Sequence, residues 1–143
     1  MNIFTEIEDY IKDWLKNDSD VNGNYYTTKL IEEEHNFSRS EVPAVSVYCY
    51  NINANKGKGT SKINGKVEVF VKNKNPKENN TECKELVSNI YLSLKKKGIP
   101  GITSPSDIAI VEIDSLRAEV LPSELFKGLM AYGYVDFEVE KMD

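Results

Sequence analysis

The sequence predicts a single α+β domain, in which two helices accompany a mostly antiparallel sheet of about five strands. Two segments repeat apolar residues at helical spacing, and several others alternate apolar and polar residues as half-buried strands do. The predicted order is helix, three strands, helix, two strands, with one or both helices on one face of the sheet. At 143 residues the chain can bury one such core, so we expect one domain over residues 1–143.

The first helix is predicted over residues 3–15, where apolar side chains recur every three or four positions. Charged side chains occupy the positions between them, so the helix is amphipathic. Asparagine, aspartate and glycine at residues 17–24 end it, because these residues compete with helical hydrogen bonding. Trp14 lies on the apolar face and is interpreted as a core residue.

The next three strands are predicted over residues 25–31, 42–52 and 66–71, which are rich in β-branched and aromatic side chains. Between the last two, residues 53–65 consist almost entirely of glycine, asparagine, lysine, serine and threonine. Such side chains have little to bury, so we expect a long, mobile hairpin loop at residues 53–65.

The second helix has the clearest end signals in the sequence. Asn75 can cap it, Pro76 suits the first helical position, and Glu78 stands where a capping-box carboxylate is found. Apolar residues then recur on one face as far as Leu94. The lysines at residues 95–97 complement the negative end of the helix dipole, so they need no nucleic-acid partner to explain them.

Two further strands are predicted within residues 108–121 and 131–140, joined by an irregular connection at residues 123–130. The last strand alternates most regularly and places Asp136 and Glu138 on its polar face. These carboxylates are expected either on a charged, exposed face of the sheet or opposite lysines across an interface.

The net charge of −5 is unevenly distributed along the chain. Residues 1–41 hold 4 basic and 10 acidic side chains, residues 51–97 hold 11 and 4, and residues 98–143 hold 3 and 9. A solvated surface explains this most simply, but the separation would also let one face of a subunit attract a different face of its neighbour. Free duplex DNA is disfavoured as a partner, because the acidic ends would repel phosphates.

No pattern in the sequence predicts a reactive centre. Cys49 and Cys83 lack the spacing of zinc ligands and are expected to be reduced and partly buried. His35 follows the acidic residues 32–34, and adjacent residues on a strand cannot all converge on one metal ion. Residues 57–62 lack the GxxxxGK[ST] spacing of a phosphate-binding loop. We therefore expect no enzyme activity, no cofactor and no metal.

The sequence also lacks a run of about 18 apolar residues, the length that crosses a bilayer, and its first residues lack the basic and apolar regions of a signal peptide. We expect no membrane association and a cytoplasmic location.

Five segments together resemble a known family. They are the helix at residues 3–15, the strands at 43–50 and 67–71, the helix at 76–97 with Leu86-Val87-Ser88-Asn89-Ile90-Tyr91, and the closing strand at 133–139. In order and pattern, without a diagnostic motif, the chain resembles the small tail-terminator, tail-completion, minor-capsid and head-tail joining proteins of tailed bacteriophages and phage-tail-like particles.

The resemblance implies a closed ring, commonly a hexamer, that caps the finished tail tube and later joins the head side. The implied partners are other copies of the chain, the tail tube protein, the sheath protein of a contractile tail and head-side connector proteins, with passive contact to DNA in the ring lumen. The implied location is the host cytoplasm during assembly and then the virion.

A ring of this kind needs heterologous contacts, in which two different surfaces of each copy meet. Leu125 and Phe126 either cover the core or contact a neighbouring chain. The candidate interface residues are Lys56, Lys58, Lys62, Lys66, Leu125, Phe126, Asp136 and Glu138. Two alternatives stay open: another assembly module, such as a neck or head-completion protein, and a small enzyme.

Overall fold

The structure, a computed structural model, describes residues 2–27, 43–55, 57–72, 74–96 and 110–143. The elements in chain order are α1 (Ile3–Lys16), β1 (Asn24–Thr27), β2 (Ala44–Asn55), β3 (Thr60–Lys72), α2 (Pro76–Leu94), β4 (Ile110–Leu121), a short 3-10 helix (Ser123–Phe126) and β5 (Met130–Met142). The predicted α+β class and order of elements are confirmed.

The five strands form one sheet in the order β1-β2-β3-β5-β4. β1 runs parallel to β2, and the other three pairs are antiparallel. β2 and β5 therefore run in one direction, while β3 and β4 run in the other. Within the described part of the chain, β4 forms one edge of the sheet and β1 the other, and β1 pairs with β2 from Ala44 to Val47.

Both helices pack on the same face of the sheet and share one hydrophobic core with it. The core members from α1 and α2 recur at helical spacing, as the sequence predicts. Trp14 is buried in this core, and its Nε1 donates a hydrogen bond to the backbone oxygen of Ser93 at 3.2 Å. Trp14 therefore joins α1 to the end of α2, and its interpretation as a core residue is confirmed.

The predicted start of α2 is confirmed, but its end is not. Asn75 caps the helix by accepting a hydrogen bond from the backbone N–H of Glu78 at 2.9 Å. The helix ends at Leu94 rather than within the following lysines. The Nζ of Lys96 lies 2.8 Å from the carboxylate of Asp18, so this lysine binds the segment after α1. Residue 97 lies outside the described residues.

The predicted loop at residues 53–65 is wrong for most of its length. β2 continues to Asn55 and β3 begins at Thr60, so residues 56–59 alone separate the two strands. The backbone N–H of Lys58 donates to the oxygen of Asn55 at 3.0 Å, and Gly59 has a positive φ of 65°. β5 pairs with β3 as far as Thr60, and Thr60, Ser61 and Ile63 are buried there. The ladder hydrogen bonds therefore stabilise a hairpin whose other strand is mostly exposed over residues 50–55.

A second, smaller cluster lies on the face of the sheet opposite the helices. Its buried members are Ala44, Phe70 and Tyr132, and Phe126 packs against them. Leu125, by contrast, is 65% exposed. Of the two residues predicted to cover the core or contact a neighbour, Phe126 therefore covers this cluster and Leu125 lies in solvent. The connection at residues 123–130 begins with a 3-10 turn that the sequence did not indicate.

Within the described residues, neither helix has both the length and the apolar character that a bilayer requires.

Candidate functional site

Four of the predicted interface residues meet on the helix-free face of the sheet, on the adjacent strands β3 and β5. Lys66 lies directly opposite Asp136 in the ladder. The Nζ of Lys62 lies 3.1 Å from Oε1 of Glu138. The predicted carboxylates therefore meet lysines of their own chain, so this part of the charge pattern is balanced within one subunit.

Glu138 is held in its ionised form by its neighbours. Burial opposes ionisation, but Lys62 and the side-chain amide of Asn64 donate hydrogen bonds to its carboxylate, and they hold its pKa below the usual range. In return, the hydrogen bond to Glu138 raises the pKa of Lys62. The pair is partly exposed to solvent, so its contribution to stability is small.

Two carboxylates at the acidic end of β4 and one from β5 lie beside this pair. One oxygen from each of Glu112, Asp114 and Glu140 lies within 4.8 Å of the others. Burial, the nearby charge of Glu138 and contact with Glu112 together raise the pKa of Asp114. Such a cluster favours any cation that approaches it, and carboxylate oxygens are ligands that Ca²⁺ accepts.

The remaining predicted residues lie apart from this charged face. Lys58 is exposed at the tip of the β2–β3 hairpin, and Leu125 lies in the connection between β4 and β5. Lys56 lies outside the described residues, as do His35 and the acidic run at residues 32–34. The eight predicted interface residues therefore do not form one continuous site.

A more distinctive surface is the outer half of β2, residues 50–55, which we call the arm. Among the described residues no strand pairs with the arm on the side away from β3, and the described pairing of β1 with β2 reaches Thr27 opposite Val47. Tyr50 is 50% exposed and Ile52 is 36% exposed. The arm carries no charge and no proline, the features that usually protect a sheet edge from pairing with another chain.

The face of the arm can be read from its pairing with β3. Ile52 lies opposite Ile63, which is buried in the core under the helices. Paired residues project from the same face of a sheet, so Ile52 points to the helix side. A register shift between Cys49 and Asn51 marks the start of the arm, and such bulges bend a strand.

At the opposite edge of the sheet, a groove of about 470 Å³ runs between α2 and β4. Val87 and Tyr91 of α2 line one wall, and Leu116, Ala118 and Val120 of β4 line the other. The groove lies on the helix side, because Ala118 is opposite the core residue Val135. Ala118 is exposed, whereas Leu116 and Val120 are partly buried against the core.

The two thiols are poor candidates for chemistry. Both are buried and free. Burial, with a smaller effect of Glu8, raises the pKa of Cys49 far above its ordinary value, and burial with Glu82 raises the pKa of Cys83 to about 12. Because the thiolate is the nucleophile, neither thiol is activated.

No protein-family model matches the chain, and no curated protein matches it in sequence.

Proposed function

We propose that this chain is a structural assembly protein of a phage or phage-like tail, whose copies form a ring that terminates the tail tube and connects it to the head side. One observation carries the proposal. Among the residues that the structure describes, the sheet has two unlike edges, with the uncharged arm on one side and β4 with its apolar groove on the other. A ring built by rotation needs two different surfaces on each subunit, one for each neighbour.

The fold agrees with this proposal. The elements have the order and the mostly antiparallel sheet that the resemblance to tail terminators implies. By this proposal the partners are other copies of the chain, commonly six, the tail tube, the sheath of a contractile tail and head-side connectors, and DNA passes through the lumen.

The mass of the particle in solution tests the proposal. Size-exclusion chromatography with light scattering should give a discrete multimer that persists on dilution, and negative-stain electron microscopy should show rings of uniform diameter. If the free subunits are monomers, the chain should instead assemble at the ends of tail tubes. A chain that stays monomeric at high concentration and ignores tube ends would exclude a ring-forming terminator.

Another assembly module, such as a neck or head-completion protein, is the second candidate, because the same open edges could receive a different protein. The genes beside this one separate the two candidates. Tube, sheath or portal genes next to it support the tail proposal, whereas a neighbourhood without such genes opposes it. A small enzyme is less favoured, because both cysteines are buried with raised pKa values.

A further inference from the structure

The sequence contains two Asn-Gly pairs, and the structure places them in opposite environments. Asn22 and Gly23 lie in the turn between α1 and β1, whereas Asn64 and Gly65 lie within β3. An Asn-Gly pair is prone to deamidation, because glycine has no Cβ to hinder the approach of its backbone nitrogen to the asparagine side chain. The surroundings of each pair then decide whether the reaction proceeds in the folded chain.

We propose that Asn22 is a site of spontaneous deamidation in the folded protein, and that β3 protects Asn64 from the same reaction. The backbone nitrogen of Gly23 loses its proton and bonds to the side-chain carbonyl carbon of Asn22. The bond from that carbon to the side-chain nitrogen breaks, so ammonia leaves with the proton. Water then opens the resulting succinimide at either carbonyl, which gives aspartate or isoaspartate. This inference does not depend on the proposed ring.

The turn leaves both reacting groups of the first pair accessible. The side chain of Asn22 is exposed, and its Nδ2 donates a hydrogen bond to the backbone oxygen of Ser19 at 3.2 Å, which water can replace. Among the described residues, none accepts a hydrogen bond from the backbone N–H of Gly23. The nitrogen of Gly23 is therefore free to attack without the loss of a backbone hydrogen bond.

The sheet holds the second pair on both sides. Gly65 is buried and is paired with Cys49 on β2 and with Phe137 on β5, so its N–H lies within the ladder. The Nδ2 of Asn64 donates to the carboxylate of Glu138 at 3.2 Å, so the side chain is also held. An attack on Asn64 therefore requires β3 to open locally.

Deamidation would alter a turn that anchors the end of α2. The carboxylate of Asp18 accepts a hydrogen bond from the Nζ of Lys96 at 2.8 Å. The backbone oxygen of Asp20 accepts one from the Nδ2 of Asn89 at 2.9 Å. A carboxylate in place of the Asn22 amide adds a negative charge close in sequence to both aspartates. The product is thus a more acidic chain, with its new charge in the turn that contacts α2.

The test measures deamidation of the native protein and of the same protein in guanidinium chloride, both in a mildly alkaline buffer. Peptide mapping by mass spectrometry locates the reaction. The denatured chain gives the rate of each pair without the fold, so the ratio of denatured to native rate measures protection. This ratio should be at least about tenfold larger for Asn64 than for Asn22, because local opening limits the reaction in β3.

Ion-exchange chromatography supplies a second readout, because deamidation adds a negative charge. An acidic species should accumulate in the native wild type and elute with the variant Asn22→Asp. Asn22→Gln is the matched control, because a glutamine side chain would have to close a less favourable six-membered ring. This variant should not accumulate the acidic species, and circular dichroism checks that it keeps its fold.

The outcomes decide the inference directly. Loss of the amide at Asn22 in the native protein, with Asn64 retained, supports it. A protection ratio for Asn22 equal to or larger than that for Asn64 would show that the turn protects its pair as well as the sheet does, and it overturns the inference. Accumulation of the acidic species in Asn22→Gln at the wild-type rate places the reaction elsewhere and also overturns it.

Discussion

The carboxylate of Glu8 on α1 reaches across to the sheet, where its Oε2 accepts the backbone N–H of Cys49 at 2.8 Å. Glu8 is buried, although it belongs to an amphipathic surface helix. Cys49 is the last residue before the register shift that begins the arm. The last described pair of β2 with β1 is at Val47, so Glu8 satisfies a backbone donor of β2 that lies beyond this pairing. The hydrogen bond also fixes the base of the arm against α1.

Replacing Glu8 by alanine should destabilise the fold. The change leaves the N–H of Cys49 without its acceptor, a loss of about 1–3 kcal/mol for a buried donor. Urea denaturation, followed by circular dichroism, measures the free energy of unfolding. Glu8→Gln is the matched control, because its amide oxygen can still accept the hydrogen bond, and it should lose less. A Glu8→Ala variant as stable as wild type would show that this bond does not hold the arm.

A pair of glycines tests the close packing under the arm. A Cβ on Gly65 would lie 2.6 Å from the Phe137 ring and 2.8 Å from the backbone oxygen of Tyr48. Gly65→Ala should therefore cost about 1–3 kcal/mol of unfolding free energy, as overpacking does. Gly57→Ala is the control: its nearest neighbouring atom would be 3.9 Å away, so its stability should stay within about 0.5 kcal/mol of wild type. Thermal or urea unfolding distinguishes the two, and an equal loss in both would contradict the packing argument.

Local signals made several elements predictable from the sequence. Asn75 and Pro76 set the start of α2 through short-range hydrogen bonding and a fixed backbone angle, both of which depend on neighbouring residues alone. Trp14 lies on a clear apolar stripe of α1, and its burial follows from that stripe. The alternation of β5 likewise indicated which face Asp136 and Glu138 would occupy.

The surfaces on which the assembly proposal rests were not predictable, because they depend on pairing between distant strands. The arm lies partly within a polar segment of the sequence, and pairing of β3 with β5 makes its hairpin a regular extension of the sheet. The acidic cluster depends on the register of β4 against β5, which shifts on both sides of Asp114. Ser115, within one shift, has a positive φ of 53°, which its sequence does not indicate. The groove could not be predicted because it forms where α2 packs over β4.

The two cysteines should react slowly in the native protein. Burial raises the pKa of both thiols, that of Cys83 to about 12, so at pH 8 almost none of either is thiolate. We expect modification by a disulfide reagent to be at least about a hundredfold slower than in the denatured chain. The variant Leu129→Cys is an internal control, because residue 129 is 71% exposed and its third thiol should react at once. Rapid modification of two thiols in the folded wild type would contradict their burial.

The acidic cluster makes a prediction about pH. Burial, Glu138 and Glu112 raise the pKa of Asp114 in the folded chain, so the folded state holds its proton more tightly than the unfolded state. The contribution of Asp114 to the free energy of unfolding therefore falls as pH rises from its ordinary pKa of 3.8 through its raised pKa. The destabilisation is complete at neutral pH. Asp114→Asn removes the charge and should stabilise the chain at pH 7 by less than about 1 kcal/mol, the range for partly exposed charges. The gain should shrink as pH falls through the raised pKa, and it should also shrink at high salt, where repulsion is screened.

Asp136→Asn is the matched control, because its ladder neighbours are Lys66 and Arg117, and removing its charge should give no gain. If Asp114→Asn were no more stable than wild type at neutral pH and low salt, the carboxylates of the cluster would not repel one another.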